Sequence, residues 1–324
     1  MRGRAVSRAL SLGAVVAVTA YVAAGGATVV SAARADETIV FALGDGADGS
    51  ATSRALAHYV IAQRPDRFFY LGDVYETGTR SEFTRRYDPL YGPLAAISDP
   101  VLGNHEYANR ATGYFTYWAA KRRWSPDRAK HRAYVDAASA WQVVAYASDA
   151  DAASEAAWVA RRFAEHAGTC RIVIAHKGRY VVADTAHGDN IEQQPVWARI
   201  AGKAAINVVG HNHIYGRLAP IRGVAVLVSG AGGHALRSLG KQHHAVRASK
   251  TGVATATRLV LRRGAADFAQ VDARGVVYDS GTVTCVPSDA APRRTDHAIA
   301  GRRENGVEPA ARGARHAAAW EPSR

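Results

Sequence analysis

Short apolar runs recur along the chain, and most stop at a polar residue able to bind a metal. Thr38-Ile39-Val40-Phe41-Ala42-Leu43 runs into Gly44-Asp45-Gly46, and Arg67-Phe68-Phe69-Tyr70-Leu71 into Gly72-Asp73-Val74-Tyr75. Pro100-Val101-Leu102 stops at Gly103-Asn104-His105-Glu106, and Arg171-Ile172-Val173-Ile174-Ala175 stops at His176. Ile206-Asn207-Val208-Val209 stops at Gly210-His211-Asn212-His213. Unbroken apolar runs of this length, without polar alternation, read as strands buried on both faces. Ser50 to Arg64 sets Ala55, Leu56, Tyr59 and Val60 at helical spacing, and a second helical stretch lies near residues 81–87. Strand and helix in alternation predict an α/β domain with a largely parallel sheet.

Both ends of the chain break the pattern. Arg2, Arg4 and Arg8 precede an apolar run from Leu10 to Val30 that closes on Ala33-Arg34-Ala35. A basic head, an apolar centre and an A-x-A site predict a signal peptide over residues 1–35, with an uncleaved membrane anchor as the alternative. Residues 288–324 are rich in Ala, Arg, Gly and Pro and have no apolar periodicity, which predicts a disordered basic tail. One domain, residues 36–287, remains. No other stretch is long and apolar enough to span a membrane, so a secreted or cell-surface protein is expected.

Composition narrows the function classes. Hydrophobic residues make up 48% of the 324, enough for a full core, which excludes global disorder. The net charge is +13, carried by 35 Arg against 6 Lys. The first 35 residues hold four arginines and no acid, so the charge falls to +9 without them. Arginine is abundant alongside alanine, so charge alone argues no specific nucleic-acid partner. The only cysteines are Cys170 and Cys285, with no C-x-x-C, which excludes a zinc finger. There is no G-x-S-x-G elbow to support a serine hydrolase.

Ligands of open α/β sheets sit beyond the carboxyl ends of the strands. Those ends here offer Asp45, Asp73, Asn104, His176, His211 and His213, a mixed oxygen and nitrogen set suited to Zn, Fe or Mn. Glycines before Asp45, Asp73, Asn104 and His211 are expected to let the backbone turn sharply. A lone Gly-Asp after a strand is an ordinary turn, and His176 alone is unremarkable. The ordered set is what points to a metal centre. His234, His243 and His244, near the Gly-rich segment 230–240, are expected to be solvent-exposed loop residues, with a loop that borders the cleft and a histidine that touches substrate as the alternative. His58, His131, His166 and His187 are expected at the surface or in structural roles, and Trp118, Trp124, Trp141, Trp158 and Trp197 in the core.

The ordered motifs GD, GD, GNHE, H and GHxH resemble the calcineurin-like metallophosphoesterase superfamily, most closely secreted bacterial relatives of purple acid phosphatases. Tyr87-Asp88-Pro89-Leu90-Tyr91-Gly92, Gly113-Tyr114-Phe115, His176-Lys177-Gly178-Arg179-Tyr180 and Asp279-Ser280-Gly281-Thr282 extend the likeness from about Thr38 to Cys285. The resemblance implies a four-layer α/β/β/α sandwich of two mixed sheets. It implies two metal ions (Fe, Zn or Mn) and hydrolysis of a small phosphate ester, a phosphomonoester, by a hydroxide formed on the metals. Asp73 would bridge the ions, Asp45 and His213 would serve one, and Asn104, His176 and His211 the other. His105 would face the substrate as general acid.

Two departures from the family pattern stand out. Ala47 offers no ligand where many members have one. The purple-phosphatase branch uses a tyrosine three residues after the bridging Asp, whereas Tyr75 follows Asp73 by two; Tyr75 is still expected to ligate, the alternative being that it packs on the loop and water fills the position. Asn212 stands where Asp is frequent, and Gly178 where Pro is. The alternatives are a phosphodiesterase of the same fold, or a non-catalytic binding protein with a degraded metal site. An oxidising compartment and the cysteines found at both places in the resembling proteins imply a Cys170–Cys285 disulfide, against two buried thiols.

Overall fold

A computed structural model describes residues 36–184, 188–242 and 245–285. The expected signal peptide, the tail, His187, His243 and His244 lie outside the described residues.

The strands in chain order are β1 (Glu37–Leu43), β2 (Arg67–Tyr70), β3 (Ser98–Pro100), β4 (Arg132–Val135), β5 (Trp141–Ala145), β6 (Cys170–Ala175), β7 (Ala183–Asp184) and β8 (Ile206–Val209). They continue as β9 (Tyr215–Leu218), β10 (Ala225–Ser229), β11 (Lys241–Gln242), β12 (Val246–Lys250), β13 (Thr255–Arg262), β14 (Ala265–Asp272) and β15 (Val277–Thr284). Six form one sheet in the order β15-β14-β13-β1-β2-β3, and seven form another in the order β12-β9-β10-β8-β6-β5-β4. Both are mixed. β1, β2 and β3 run parallel, as do β5, β6, β8 and β10, with antiparallel strands at the flanks.

The unbroken apolar runs explain the layering. In β1, Val40 and Ala42 face the core between the sheets, while Phe41 and Leu43 face the opposite way into a second core. That outer core holds Leu56 and Val60 of the helix Ala51–Ala62 and an aromatic group that includes Tyr87, Tyr91 and Trp118. β6 divides in the same way. Ile172 and Ile174 face the other sheet, and Val173 and Ala175 pack under Val159 and Phe163 of the helix Ala152–Glu165. Two sheets back to back, each covered by helices, make the four-layer α/β/β/α sandwich. Trp118, Trp124, Trp141 and Trp197 are buried, whereas Trp158 is half-buried and stacks on His131.

The sheets are also joined by bonds. Gly44 N donates to Ser229 O at 2.8 Å, and Ser229 Oγ donates to Ala42 O at 2.9 Å, so the ends of β1 and β10 are fastened together. At the opposite end of the strands, Cys170 at the start of β6 forms a disulfide with Cys285, just past β15. Among the described residues, no helix is long and apolar enough to cross a membrane.

Candidate metal centre

All the strand-end residues singled out in the sequence meet at one edge of the sandwich, where the carboxyl ends of β1, β2 and β3 abut those of β6 and β8. Their donor atoms form two adjacent nests. In the first, Tyr75 Oη lies 2.8 Å from Asp45 Oδ1, 3.3 Å from Asp73 Oδ2 and 3.1 Å from His213 Nε2. In the second, His176 Nε2 lies 3.0 Å from Asn104 Oδ1, 3.0 Å from His211 Nδ1 and 3.3 Å from Asp73 Oδ2. Asp73 Oδ2 belongs to both. Among the described residues, Asp73, His176 and His211 have the spacing of a metal-binding cluster.

These separations suit cations. Donors bound at about 2.0–2.2 Å around one ion stand roughly 3 Å from one another. The imidazoles are turned to match. His176 Nδ1 donates to Leu71 O at 2.7 Å and His213 Nδ1 to Ala235 O at 3.3 Å, so Nε2 of each faces its nest.

The site concentrates buried negative charge. Burial, and then the charge of Asp73, push Asp45 up to about 8, against the pull of His176. Burial also acts to raise Asp73, yet His176 and then His105 hold it well below the usual carboxylate range. For His176, burial opposes protonation, but Asp73 and then Asp45 carry it up to about 10. Burial and the two carboxylates push the Tyr75 phenol upward, so it keeps its proton unless a cation sits beside it. Buried carboxylates this close oppose each other's ionisation, and a shared cation relieves them.

The backbone leaving the sheets departs from the sequence expectation. Of the four glycines that precede site residues, only Gly72 lies in the left-handed region; the site residues themselves do the turning. Asp45 (φ 59°), Asp73 (φ 66°), His211 (φ 66°) and His213 (φ 47°) are all left-handed, a strain of order 1–3 kcal/mol each that the packed surroundings must hold. The glycines are needed for close approach. A Cβ on Gly103 would lie 2.0 Å from Asp73 Oδ1, and one on Gly72 would lie 2.8 Å from His176 Nδ1.

Glu106 was not singled out as a site residue, although it closes the GNHE motif. Its buried carboxylate accepts from Asp73 N at 3.1 Å, Val74 N at 2.6 Å and Gly103 N at 2.7 Å, which fastens the loop after β2 to the loop after β3. Burial, then Asp73, push it up to about 7. His105 stands at the rim. Its side chain is 29% exposed, its Nε2 is 3.8 Å from Asp73 Oδ2, and its Nδ1 is tethered to the carbonyl of Glu76.

His234 corrects the expectation of a solvent-exposed loop histidine. Its ring stacks on Tyr75 with centroids 3.5 Å apart, and its side chain is only 21% exposed. The segment after β10 folds back because Gly232 N donates to Gly44 O and His234 N to Asp45 O. Gly232 and Gly233 also press where side chains would clash with Gly44 and Ser53. A histidine directly after Gly-Ala-Gly-Gly at a strand end was the available signal.

Comparison with solved structures gives the same fold at low sequence identity. The chain is similar to GAP50, the anchor in the inner membrane complex of Plasmodium, at TM-score 0.63 and 12% identity, covering 76% of this chain and 89% of that one. A purple acid phosphatase from yellow lupin seeds aligns at TM-score 0.60 and 15% identity, over 76% of this chain and 54% of that one. A dimetal phosphatase from Danio rerio aligns at TM-score 0.53 and 12% identity, over 76% and 98%. No family model matches the chain, and no curated protein matches it in sequence. The chain shares the fold of these three structures.

Proposed function

We propose that the protein is an exported, metal-dependent phosphoric ester hydrolase that acts on phosphomonoesters. The observation that carries this reading is the pair of nests sharing Asp73 Oδ2. Asp45, Tyr75 and His213 would hold one cation, Asn104, His176 and His211 the other, and Asp73 both. When bound, such a pair of ions neutralises phosphate oxygens and supplies a nucleophile from water near neutral pH.

The chain's own residues supply the rest. Leu71 O and Ala235 O fix the tautomers of His176 and His213, so their lone pairs point inward. Glu106 keeps Asp73 and Gly103 from drifting apart. His105 stands outside both nests, tethered through Nδ1, with its Nε2 edge at the rim. From there it can hand a proton to the departing alkoxide, a contribution of roughly 10²–10⁴-fold for a well-placed acid. The disulfide accords with an oxidising compartment.

Elemental analysis of purified protein should find two metal ions per chain, with turnover of p-nitrophenyl phosphate. Asp73→Ala should lose both. Metal-loaded wild type that turned over neither this ester nor bis-p-nitrophenyl phosphate would favour the non-catalytic alternative, a scaffold like the anchor named above. Preference for the diester would favour the phosphodiesterase.

A further inference from the structure

We propose that His234 is a second substrate-facing imidazole, paired with His105 across the Tyr75 ring, and that together they select phosphomonoesters. This rests on the hydrolase reading above. Tyr75 is clasped from two sides. His105 meets its ring edge-on at 4.5 Å and His234 lies flat on it at 3.5 Å, with an interplanar angle of 18°. The ring so clasped carries the oxygen that touches Asp45 and Asp73.

The orientation of His234 is set by its contacts. One face is taken by Tyr75. Its Nδ1 lies 3.3 Å from Asp48 Oδ2, and Asp48 is itself pinned by Ser53 Oγ at 2.6 Å and Ser50 N at 2.9 Å. The backbone is tied by His234 N to Asp45 O at 2.9 Å. With Nδ1 held by Asp48 and one face covered by Tyr75, no hydrogen-bond partner for Nε2 stands among the described residues. His105 is held in a similar way, with Nδ1 tethered to a carbonyl and Nε2 at the rim, 3.8 Å from Asp73 Oδ2. Two tethered imidazoles, one on each side of a candidate ligand and neither with a close hydrogen bond at Nε2, suit the terminal oxygens of a phosphomonoester. A neutral ring accepts from P–O–H, and a charged ring donates to P–O⁻; either forms the hydrogen bond. A diester replaces one terminal oxygen with a second ester and loses a contact.

The test compares metal-loaded wild type with His234→Phe and His234→Gln. Phenylalanine keeps a flat ring on Tyr75 and removes Nε2; glutamine restores a polar end. Inorganic phosphate binding, followed by titration calorimetry, should weaken roughly 10- to 100-fold in H234F and partly recover in H234Q. KM for p-nitrophenyl phosphate should rise in step, while bis-p-nitrophenyl phosphate changes by less than about threefold. The proposal fails if H234F binds phosphate like wild type, if it loses its metal (His234 would then only prop Tyr75), or if wild type binds no phosphate. A wild type that binds phosphate through His234 yet hydrolyses nothing would overturn the hydrolase reading and leave this one standing.

Discussion

The two sheets bring different chemistry to their common edge. The six-stranded sheet delivers oxygen donors: Asp45 after β1, Asp73 and Tyr75 after β2, and Asn104 after β3. The seven-stranded sheet delivers nitrogen donors: His176 after β6, then His211 and His213 after β8. Neither sheet alone holds a complete nest. Tyr75 Oη needs His213 from across the sandwich, and His176 Nε2 needs Asn104 and Asp73. The centre is thus a property of how the sheets are docked, and changes that disturb docking should reach it without touching a donor.

Gly103→Ala should have the largest effect. The added Cβ would lie 2.0 Å from Asp73 Oδ1 and 2.6 Å from Asp73 N, so the shared carboxylate must move. Turnover should fall by at least about 10²-fold, as for a 1 Å misplacement at a reacting centre, with metal content reduced in parallel. An alanine variant with full metal and normal rate would break the claim that close approach fixes the site.

Replacing Cys170 and Cys285 by serine removes the covalent tie between the sheets at the end far from the centre. The bond closes a separation of 115 residues, for which chain-entropy arguments give up to about 4–5 kcal/mol, with typical measured values of about 2–4 kcal/mol. Chemical denaturation should show that loss, while the folded variant keeps its metals. Loss of metal from the folded variant would mean that docking is transmitted along the whole sandwich.

The last effect is electrostatic and sharpens the contrast between oxygens and nitrogens. Asp45 at about 8, Glu106 at about 7 and His176 at about 10 all lie above their ordinary values of 3.8, 4.5 and 6.5. Burial leads for the carboxyls; for His176 the carboxylates outweigh it. The folded chain therefore holds more protons than the unfolded one, and stability must fall as pH rises. The carboxyl contribution is lost from about pH 4 to 8 and that of His176 from about 6.5 to 10. Asp73, depressed, acts oppositely but only below its ordinary 3.8. Thermal melts of chelator-treated protein should drop steadily between pH 5 and 9, and metal should flatten the slope. A rising slope in the chelated protein would sink this account.

Much of this was legible in sequence because the chemistry is linear. Buried parallel strands are short apolar runs, and ligands of such sheets sit beyond their carboxyl ends, so Asp45, Asp73, Asn104, His176, His211 and His213 were visible as run endings. Tyr75 was reached through the resemblance, despite standing one residue nearer Asp73 than that pattern has it, and lands between both carboxylates. His234 was misjudged because its environment is made by two glycines that let one loop lie on another, a contact with no periodicity to read. Glu106 was passed over because a carboxylate spent on three backbone N–H groups looks, in sequence, like any other acid. Three of the four glycines, Gly44, Gly103 and Gly210, were noticed for the wrong reason. Flexibility can be guessed from composition, whereas close approach depends on what lies opposite.

The pairing of β1 with β13, from Glu37↔Arg262 to Ala42↔Thr257, has a kinetic consequence. Glu37 and Arg262, joined by an ion pair, are 225 residues apart. The strand that opens the fold thus lies between β2, which follows soon after, and a strand from near the end of the domain. A chain made from its N-terminus gains β1–β2 early but cannot cover the other edge of β1 until residues 255–262 exist. Closing so long a loop adds entropy only slowly with length, yet long-range pairing of this kind lengthens folding time. Until then the backbone of β1 stands as an open edge, on which half-made chains can pair with one another.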